Sequence, residues 1–597
     1  MDNNKDEKVI IIGGGPAGLT AGYQLSQMGI ESVVLEKEDV VGGLSRTVNY
    51  RDYNFDIGGH RFFTKVHRVA DMWREVLSSD FLRRNRLSRI FYNGKFFSYP
   101  LRPMNALFGL GFCNIFVILI SYVKAHLFPE KPEDTFETWV SNRFGRRLYT
   151  IFFKTYTEKI WGIPCNQISA DWAAQRIKGL SLISALKNAL IKTNHTEKEV
   201  ITTLIDEFDY PRKGPGMMWE KVAELYNNGG GQVIMGAEAK KLLWKDNKIA
   251  AIEVEENGRK DVQYGTQFIS TMPIRELIHT FDPQVPNEIL EAANKLAYRD
   301  FLTVAIIVNK RDVFPDNWIY IHEPSIKVGR IQNFKNWSPD MVPDPDKTCL
   351  GLEYFCFEGD GLWTMKDEDL IELGKRELEN LGFINASEAI DGVVVRMPKA
   401  YPVYNPEYKE ALSTIKEFLG KIKNLQLVGR NGMHRYNNQD HSMLTAMLAV
   451  ENINGANHNL WAVNSEQEYL EEYIKKPKEL IREKEVLKRS IGRFDKLGLA
   501  TAIGSVSGMW IFLATLWLTI RSSDFAGDNL LLYLNQYFIG YSVTLKGAFI
   551  GFGYSFIWGF LFGWLFAYTR NLFVAYFIYR VKRRIENLSF KDFIDHF

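Results

Sequence analysis

The feature that most restricts the fold is a glycine-rich turn directly behind a short β-branched run near the N-terminus. Residues 9–12 predict a buried strand, and Gly13, Gly15 and Gly18 follow in GxGxxG spacing before an apolar helix pattern that runs to Met28. In this setting the first glycine makes a tight turn, the second lets a diphosphate approach the backbone, and the third allows close helix–strand packing. The pattern predicts a Rossmann-type βαβ unit that binds a dinucleotide.

An acidic residue stands where a dinucleotide site needs one. A second predicted strand, residues 32–35, ends at Glu36, close to the spacing of about 20 residues at which an acid accepts ribose hydroxyls. The diphosphate itself would rest on the helix N-terminus behind the glycines. The residues that we assign to the cofactor in this region are Gly13, Gly15, Pro16, Ala17, Gly18, Glu36 and Lys37.

Size and charge narrow the classes of function. The chain has 597 residues, more than the roughly 250–300 at which single cores stop growing, so we expect several domains. It carries 73 Lys and Arg against 71 Asp and Glu, which excludes a globally basic nucleic-acid-binding protein. Its four cysteines form no CxxC pair, so we predict no metal site. The polar segment 1–8 predicts that no signal peptide is cleaved.

Two uncharged apolar runs lie near the C-terminus, at about 497–520 and 547–569, and each reaches the roughly 20 residues that a membrane-spanning helix needs. Lys and Arg cluster before the first run, at 475–496, and after the second, at 570–584. By the positive-inside rule both outer flanks lie in the cytoplasm. The sequence thus predicts an integral protein of the cytoplasmic membrane, with its large N-terminal part on the cytoplasmic side.

Both runs contain small residues at a spacing that suits closely packed membrane helices. Gly504 and Gly508 lie in the first run, and Gly559 and Gly563 lie in the second. We expect these helices to offer a surface to a second copy of the chain or to another protein of the membrane.

A third apolar run, residues 104–123, is also long enough to cross a membrane. A single span there would place residues 1–100 and 130–480 on opposite sides of the bilayer, although the motifs of both parts belong to one domain. We therefore expect a buried helix of the substrate domain. The alternative is a helix that dips into one leaflet without crossing it.

Two further motifs carry a resemblance to a known superfamily. Gly42, Gly43, Leu44 and Ser45 follow Glu36 closely, and near residue 427 a strand-like segment leads into Gly429, Arg430 and Asp440. This arrangement resembles the FAD-binding superfamily of amine oxidases, protoporphyrinogen oxidases, phytoene desaturases and UDP-galactopyranose mutases. The resemblance implies FAD as the cofactor. It also implies that residues 42–45 lie along the flavin diphosphate. Gly429, Arg430 and Asp440 would then contact the flavin ring and its ribityl chain.

Several stretches are most similar to the mutases. They are residues 57–64, the predicted hairpin 91–101, and residues 156–162, Tyr-Thr-Glu-Lys-Ile-Trp-Gly. The resemblance implies that Gly58, Gly59 and His60 lie beside the flavin. It further implies that His60, Arg176 and Arg430 are catalytic, with the two arginines on the substrate diphosphate. The residues that it implies for substrate binding are Arg61, Trp161, Arg176, Arg330, Tyr404 and Tyr436.

Three activities remain open at this point. The first is a mutase that isomerises a nucleotide- or lipid-linked sugar through reduced FAD without net oxidation. The second is an FAD-dependent oxidoreductase, like the amine and protoporphyrinogen oxidases, that acts on a lipid, an isoprenoid or a lipid-linked sugar; residues 210–219 resemble that branch. The third is a flavin-stabilised scaffold of a membrane glycan-assembly complex, whose partner surface would be the glycine-containing helices.

The predicted fold class is α/β. It comprises a Rossmann-type FAD-binding domain, an interleaved α+β substrate domain and a C-terminal hairpin of two transmembrane helices. The predicted boundaries place the FAD-binding part in 1–100, 226–290 and 421–472, the substrate domain in 101–225, mainly helical, and 291–420, a basic linker in 473–496, and the membrane domain in 497–597.

Overall fold

The computed structural model describes residues 7–99, 105, 109–170, 207–256, 258–464, 494–520 and 530–594. The chain divides into two compact units, residues 1–473 and 474–597. Each unit is described by itself below.

The described strands of the first unit are β1 (Lys8–Ile12), β2 (Glu31–Leu35), β3 (Thr47–Tyr50), β4 (Tyr53–Asp56), β5 (Phe81–Asn85), β6 (Ser88–Tyr92), β7 (Lys95–Ser98), β8 (Glu207–Pro211), β9 (Gln232–Ile234), β10 (Ala237–Lys245), β11 (Lys248–Glu256), β12 (Arg259–Tyr264), β13 (Gln267–Ser270), β14 (Phe281–Asp282), β15 (Ala297–Val308), β16 (Trp318–Ile321), β17 (Arg330–Asn333), β18 (Thr348–Cys356), β19 (Ala389–Val403) and β20 (Leu425–Leu427). Its described α-helices are α1 (Pro16–Gln27), α2 (His67–Leu77), α3 (Phe112–Leu127), α4 (Phe136–Phe144), α5 (Arg146–Leu148), α6 (Thr155–Trp161), α7 (Gly216–Asn228), α8 (Ile274–His279), α9 (Asn287–Asn294), α10 (Phe334–Trp337), α11 (Asp367–Asn380), α12 (Tyr408–Leu419) and α13 (Gln439–Ile453).

The predicted βαβ unit is confirmed. Strand β1, helix α1 and strand β2 form it, and both strands belong to a parallel five-stranded sheet in the order β20-β13-β1-β2-β9. Val9, Ile10 and Ile11 are fully buried in this sheet, because they share one core with α1 and with the strands β10 and β11. The mixed α/β fold class is therefore correct, and the strands of the sheet come from three separate stretches of the chain.

A second, mixed sheet of seven strands runs in the order β19-β15-β18-β17-β16-β6-β7. Its pairs are antiparallel except for β16 with β6, which is parallel. Strand β18 is buried along its whole length, so this sheet has apolar packing on both faces. Smaller sheets complete the unit: β12-β11-β10-β14, β3-β4 and β5-β8.

The predicted boundary at residue 225 cuts through a helix. Helix α7 crosses it and packs against the βαβ unit, where the Tyr226 hydroxyl donates to the Ser32 carbonyl at 2.6 Å. A Cβ at Gly22 of α1 would lie 3.1 Å from the Tyr226 ring. Helix α7 therefore supports the cofactor domain rather than the mainly helical substrate domain, because a glycine on α1 leaves room for its aromatic side chain.

The expectation of a buried helix at 104–123 is wrong. Helix α3 buries Ile118 against α4 and its neighbours, but Phe116, Ile120 and Val123 are exposed. Sequence hydropathy predicted the helix correctly. It did not show that the neighbouring helices cover only one of its sides.

In the second unit, α14 (Lys496–Ile520) and α15 (Leu545–Ile594) pack against each other, and a short 3₁₀ segment, Leu530–Gln536, lies in the connection between them. Both helices are long and apolar enough to cross a membrane, over Lys496–Ile520 and Leu545–Phe573. The basic linker predicted at 473–496 lies mostly outside the described residues.

The glycines of these two helices are used inside the hairpin. A Cβ at Gly559 would lie 3.0 Å from the Cα of Gly504, and a Cβ at Gly563 would lie 2.9 Å from the Cα of Ala500. The Ser507 hydroxyl also donates to the Ser555 carbonyl across the same contact, at 2.9 Å. This corrects the expectation that these glycines face another protein, because the two helices of one chain already cover them. Association with a partner stays a prediction, and it would need another face of the hairpin.

Candidate functional site

The glycine loop has the geometry that a dinucleotide site requires. Gly13 has φ of 100°, which favours glycine, and a Cβ there would overlap the Thr271 side chain. A Cβ at Gly18 would overlap the Gly13 carbonyl oxygen. A Cβ at Gly15 would lie 3.9 Å from the Cα of Gly43, so the two loops approach each other closely at positions without side chains. Both loops lie at the N-terminus of α1, where an anionic diphosphate is favoured.

The second glycine pair is tied to the first. The Gly42 N–H donates to the Gly14 carbonyl at 2.9 Å, and a 3₁₀ turn, Gly43–Ser45, starts there. Ser45 is buried in that turn. The loop therefore lies directly on the glycine loop, and the contact of residues 42–45 with the flavin diphosphate stays a prediction.

Glu36 ends β2 with its carboxylate against the same loop. It accepts hydrogen bonds from the Gly14 N–H at 2.6 Å and the Glu38 N–H at 2.9 Å. Burial raises the pKa of Glu36, and the two N–H groups partly oppose that shift. A carboxylate in this place fits the role of ribose acceptor. Lys37 does not join it, because its side chain is 59% exposed and pairs with Glu38 at 3.4 Å.

The segment after β20, residues 429–440, contacts helix α1. A Cβ at Gly429, which follows β20, would lie 3.2 Å from the Cβ of Ala17. The Gly429 N–H donates to the Thr445 hydroxyl at 3.1 Å, and its carbonyl accepts from the Asn437 side chain at 3.0 Å. Asp440 is buried in the first turn of α13. The N-terminal ends of α1 and α13 are thus joined through Gly429, and the paired glycine loops, the acid and the two helix ends fit FAD.

The segment of Gly58 and Gly59 lies on the seven-stranded sheet. A Cβ at Gly58 would lie 3.6 Å from the Phe301 ring, and one at Gly59 would lie 2.9 Å from the Gln332 amide nitrogen. The next residue, His60, has its Nε2 at 2.8 Å from the Ile57 carbonyl, which can only accept, so Nε2 carries the proton. Burial lowers the pKa of His60 to about 4, and the positive charges of Arg430 and Arg330 reinforce that shift. His60 is therefore neutral near pH 7.

Arg430 is held by backbone carbonyls. Its Nε donates to the Asn437 carbonyl at 2.9 Å and its Nη1 to the Ala400 carbonyl at 3.2 Å. The guanidinium lies over the rings of Tyr436 and Tyr401, with its carbon 4.9 and 5.3 Å from their centroids. These two rings stack at 5.6 Å with an interplanar angle of 11°. Arg430 is therefore a fixed positive charge beside two stacked rings. We call this aromatic side of the site, which begins with Tyr401 and Tyr436, the tyrosine wall.

Arg330, on β17, forms a buried ion pair with Glu353 of β18. The Nε and Nη2 atoms of Arg330 are each 2.6 Å from one carboxylate oxygen, and the other oxygen accepts from the Gln332 amide at 2.6 Å. Burial alone would lower the pKa of Arg330, but the carboxylate of Glu353 outweighs burial and raises it. Arg330 is therefore charged, with its guanidinium oriented by the sheet.

Tyrosines and two more arginines extend this wall. The Tyr156 ring stacks on His322 at 4.6 Å and meets the edge of Tyr320 at 5.6 Å. Tyr320 also contacts Tyr99, at 4.8 Å. Burial raises the pKa of Tyr156 well above its ordinary value, although Arg330 opposes the shift, so its hydroxyl stays protonated. Two guanidinium groups lie near the Trp318 ring of the same strand, those of Arg61 at 5.5 Å and Arg86 at 5.3 Å.

Five of the residues expected at the catalytic or substrate site come together: His60, Arg61, Arg330, Arg430 and Tyr436 are linked through the contacts above. Trp161 does not line this site. It lies at the end of α6 and is buried in the core of the helical layer. Tyr404 lies behind the wall, where its hydroxyl accepts from the Tyr436 N–H at 2.7 Å. Arg176 lies outside the described residues, so its role stays a prediction.

Several residues of the wall were missed. Trp318 and Tyr320 lie on β16 and His322 directly follows it, and this spacing of two is a sequence signal that predicts all three side chains on one face. Tyr156 opens the Tyr-Thr-Glu-Lys-Ile-Trp-Gly stretch. Other members of the signature are structural, since Lys159 donates to the carbonyls of Ile321, Glu323 and Val328. Tyr401, Arg86 and Glu353 had no local signal that distinguished them from other residues of their types.

Comparison with known proteins agrees with this geometry. The family model of flavin containing amine oxidoreductases matches residues 16–454. A probable UDP-galactopyranose mutase of Klebsiella pneumoniae is 28% identical over 183 residues, 28% of this chain and 44% of that protein. Flavin-containing amine oxidase B of Homo sapiens is 32% identical over 103 residues, 17% of this chain and 19% of that protein. The matched parts thus span less than half the length of these relatives.

Solved structures share the fold over a larger part of the chain. The structure of reduced UDP-galactopyranose mutase superposes with a TM-score of 0.66 at 21% identity, covering 77% of this chain and 98% of that one. A protoporphyrinogen oxidase structure from Exiguobacterium superposes with a TM-score of 0.57 at 15% identity, covering 75% and 98%. At such identities the likeness concerns the fold alone.

The geometry of the cofactor-binding residues and the family both indicate FAD as the cofactor. The paired glycine loops, the acid at the end of β2 and the two helix N-termini suit the diphosphate and ribose of FAD, and members of the family are FAD-dependent enzymes. This chain belongs to the family of flavin-containing amine oxidoreductases.

Proposed function

We propose that the protein is a membrane-anchored flavoenzyme that isomerises a nucleotide- or lipid-linked sugar, as a UDP-galactopyranose mutase does. The observation that carries this proposal is the set of guanidinium groups of Arg61, Arg86, Arg330 and Arg430 along one tyrosine-rich wall next to His60. Arg330 of this set is paired with the carboxylate of Glu353. Such a wall suits an anionic substrate with a sugar attached.

The chemistry of the wall supports a diphosphate. Guanidinium groups bind phosphate oxygens in bidentate fashion, better than ammonium groups do. Flat tyrosine rings offer amphipathic surfaces to a sugar or a base. The hydroxyls of Tyr156 and Tyr401 remain protonated at neutral pH, since burial raises both pKa values, that of Tyr401 to about 12. They can therefore donate hydrogen bonds to substrate oxygens.

Different residues of the site would serve different steps of such an isomerisation. FAD in its reduced form, when bound, supplies the nucleophilic chemistry of a redox-neutral sugar isomerisation. Arg330 and Arg430 would hold and neutralise the substrate diphosphate, since both guanidinium groups are already oriented by protein acceptors. His60 stays neutral and would add no positive charge beside the flavin ring that the resemblance implies there. The buried aromatic side chains behind the wall would keep water from the sugar.

The membrane anchor is part of the proposal. Helices α14 and α15 meet the length and composition of membrane spans, and basic residues flank the pair at 475–496 and 570–584. The positive-inside rule would place the catalytic unit on the cytoplasmic side of the cytoplasmic membrane. An anchored enzyme favours a substrate or a partner that itself resides at the bilayer.

A second candidate is net oxidation of a lipid, an isoprenoid or a lipid-linked sugar. The match to the amine oxidoreductase model and the identity with amine oxidases favour it. The arginines favour the mutase over this oxidation, because a hydride-transfer site for an apolar substrate needs an apolar pocket rather than several guanidinium groups. We therefore rank it second.

One experiment separates the two candidates. The purified enzyme is reduced without oxygen and mixed with UDP-hexoses or lipid-linked sugars, while the flavin spectrum and the sugar products are followed together. Isomerised sugar with the flavin still reduced supports the mutase. Absence of turnover by the reduced enzyme, together with reduction of the oxidised enzyme by a lipid extract, would overturn it in favour of the oxidoreductase.

A matched pair of variants localises the site in the same assay. Arg330→Ala should lose binding of the UDP-hexose, whereas Arg259→Ala, on the exposed strand β12, should leave it unchanged. Binding that survives in Arg330→Ala at its normal affinity would contradict the assignment of the diphosphate to this wall.

A further inference from the structure

Helix α3 presents an apolar stripe that the first unit leaves uncovered. Phe116, Ile120, Val123 and Leu127 recur at helical spacing on one side and are 53–66% exposed, and Phe128 beyond the helix is 73% exposed. Together with Leu119 and the stem of Lys124, the later residues of the stripe line an open trough of about 420 Å³. An uncovered apolar surface of this kind on a folded unit marks an interaction site.

The opposite side of α3 is firmly attached to the protein. Ile118 is buried against the helical layer that contains Phe136 and Trp139 of α4. The Arg147 N–H donates to the Ser121 hydroxyl at 3.0 Å, and a Cβ at Gly145 would lie 2.7 Å from the Tyr122 nitrogen. The stripe therefore faces outward on a helix whose orientation the fold already holds.

We propose that α3 inserts into one leaflet of a lipid bilayer, with its axis in the plane of the membrane and the stripe of Phe116, Ile120, Val123 and Leu127 among the acyl chains. At 1.5 Å per residue its 16 residues span roughly 24 Å, less than the roughly 30 Å thickness of the hydrocarbon core, so it does not cross. This inference deepens the proposed membrane anchoring and does not depend on which reaction is catalysed.

Charges around the stripe fit a phospholipid surface. Helix α3 contains no acidic side chain, and Lys124 at its last turn can extend its ammonium group to the headgroups while its stem stays on apolar surface. Lys131 and Arg147, also exposed, have no ion-pair partner within the described part of the chain. The neighbouring carboxylates of Glu130 and Glu137 are both paired with Arg146. The carboxylate of Glu133 is paired with Arg143.

The inserted helix is connected to the rim of the proposed active site. The Lys95 ammonium, on β7, donates to the Gly109 carbonyl at 3.0 Å, and the Phe97 ring of the same strand is in contact with Gly109. Tyr99, which belongs to the tyrosine wall, directly follows β7. Insertion of α3 would therefore hold this rim close to the lipid surface, where a lipid-linked sugar resides.

The test uses the full-length, FAD-loaded protein in vesicles of phosphatidylcholine and phosphatidylglycerol. Single cysteines carry an environment-sensitive fluorophore, introduced as Ile120→Cys on the stripe and as Glu368→Cys on the exposed start of α11 as the control. Lipids brominated at shallow or at deep acyl positions serve as quenchers, and unsubstituted protein corrects for labelling of native cysteines. The label at residue 120 should be quenched several-fold more than the control, and most by shallow bromines, since such helices lie about 5–10 Å into the interface.

Other outcomes overturn the inference. Quenching at residue 120 no stronger than at residue 368 means that no leaflet covers the stripe, and self-quenching between labelled copies means that a second chain covers it. Quenching mainly by deep bromines would mean a span. A third label, Leu513→Cys on α14, separates this result from the proposed anchor. If that label is quenched and the label at 120 is not, the hairpin anchor stands and the insertion of α3 fails.

A charge variant gives an independent readout. Ile120→Glu with Val123→Glu should remove the quenching of a label at Leu127→Cys, because two carboxylates keep the helix out of the acyl chains. Flavin absorbance per chain, unchanged from the parent, shows that this variant is folded. Persistent quenching in a flavin-loaded double variant would contradict the proposed role of the stripe.

Discussion

At the scale of single residues, the site depends on one buried ion pair. Glu353 is fully buried and accepts from Arg330 and Gln332, so its carboxylate is the counter-charge that orients the Arg330 guanidinium. Removing it with Glu353→Ala leaves a positive charge in a largely desolvated place. We expect the free energy of unfolding to fall by about 3–5 kcal/mol, measured by chemical denaturation.

The double variant Arg330→Met with Glu353→Leu is the control for this prediction. It removes both charges together, and apolar replacements of a buried pair are often neutral. Most of the lost stability should therefore return. Equal destabilisation of the single and double variants would mean that shape, not charge, determines the effect.

His322 should make stability depend on pH. Burial, reinforced by the charge of Lys159, lowers the pKa of His322 to about 3, from an ordinary value of 6.5 that we take for the unfolded chain. Between these values the unfolded chain binds a proton that the folded chain does not. The free energy of unfolding therefore falls on acidification, and from pH 7 to pH 5 this residue accounts for about 2 kcal/mol.

The variant His322→Phe keeps a ring against Tyr156 and removes the titrating group. Its loss of stability between pH 7 and pH 5 should be smaller than that of the parent by this amount, in denaturation curves recorded at both values. His279→Phe, at an exposed position, is the control. A parent and a His322→Phe variant with parallel pH profiles would show that His322 does not titrate as expected.

Single residues also show where sequence-based prediction works. Gly13 and Gly18 were predicted correctly because a tight turn and a close helix contact are local requirements. The resemblance implied Tyr404 for substrate binding, whereas the ring that stacks on Tyr436 is that of Tyr401. Strand β19 reaches Val403, so Tyr401 lies in it and Tyr404 lies beyond it. Trp161 could not be placed, since its burial depends on helices distant in sequence.

At the scale of elements, the glycines of the hairpin should set the distance between α14 and α15. A Cβ at Gly559 would lie 3.0 Å from the Cα of Gly504, whereas a Cβ at Gly553 on the same helix would meet nothing within 4 Å. Gly559→Leu should therefore push the helices apart by roughly 2 Å, within the range of known interaxial distances. Gly553→Leu should leave them in place. Spin labels at Leu513 and Ile557 measure the separation, and an equal effect of both variants would contradict this packing.

Helix α3 shows a limit of hydropathy as a predictor of elements. An apolar run of this length fits a buried helix, a spanning helix or a helix at an interface, because composition alone does not say which neighbours cover it. The structure excludes the fully buried helix, because Ile118 is buried and Ile120 is exposed. Coverage depends on α4 and α5, and no local pattern in residues 104–123 encodes their position.

At the scale of the whole molecule, the site is assembled from stretches that are far apart in sequence. The cofactor cradle combines the turn at 13–18, the loop at 42–45 and the segment at 429–440, and the wall adds β16, β17 and β19. Each stretch contains a local pattern, and the sequence alone reveals only some of these patterns. Their meeting is a consequence of long-range strand pairing, such as that of β1 with β13, which a single sequence does not reveal.

This assembly predicts the behaviour of a shortened chain. All of the cradle and wall residues described above belong to the first unit, so a chain of residues 1–473 should bind one flavin per chain, measured by absorbance after purification. Without α14 and α15 it should still bind vesicles that contain phosphatidylglycerol, because α3 supplies its own apolar stripe and basic surroundings. The same chain with Ile120→Glu and Val123→Glu should keep its flavin and remain unbound in a flotation assay. Flavin loss in both chains would show that the second unit stabilises the first, and equal flotation of both flavin-loaded chains would show that a surface other than α3 holds the lipid.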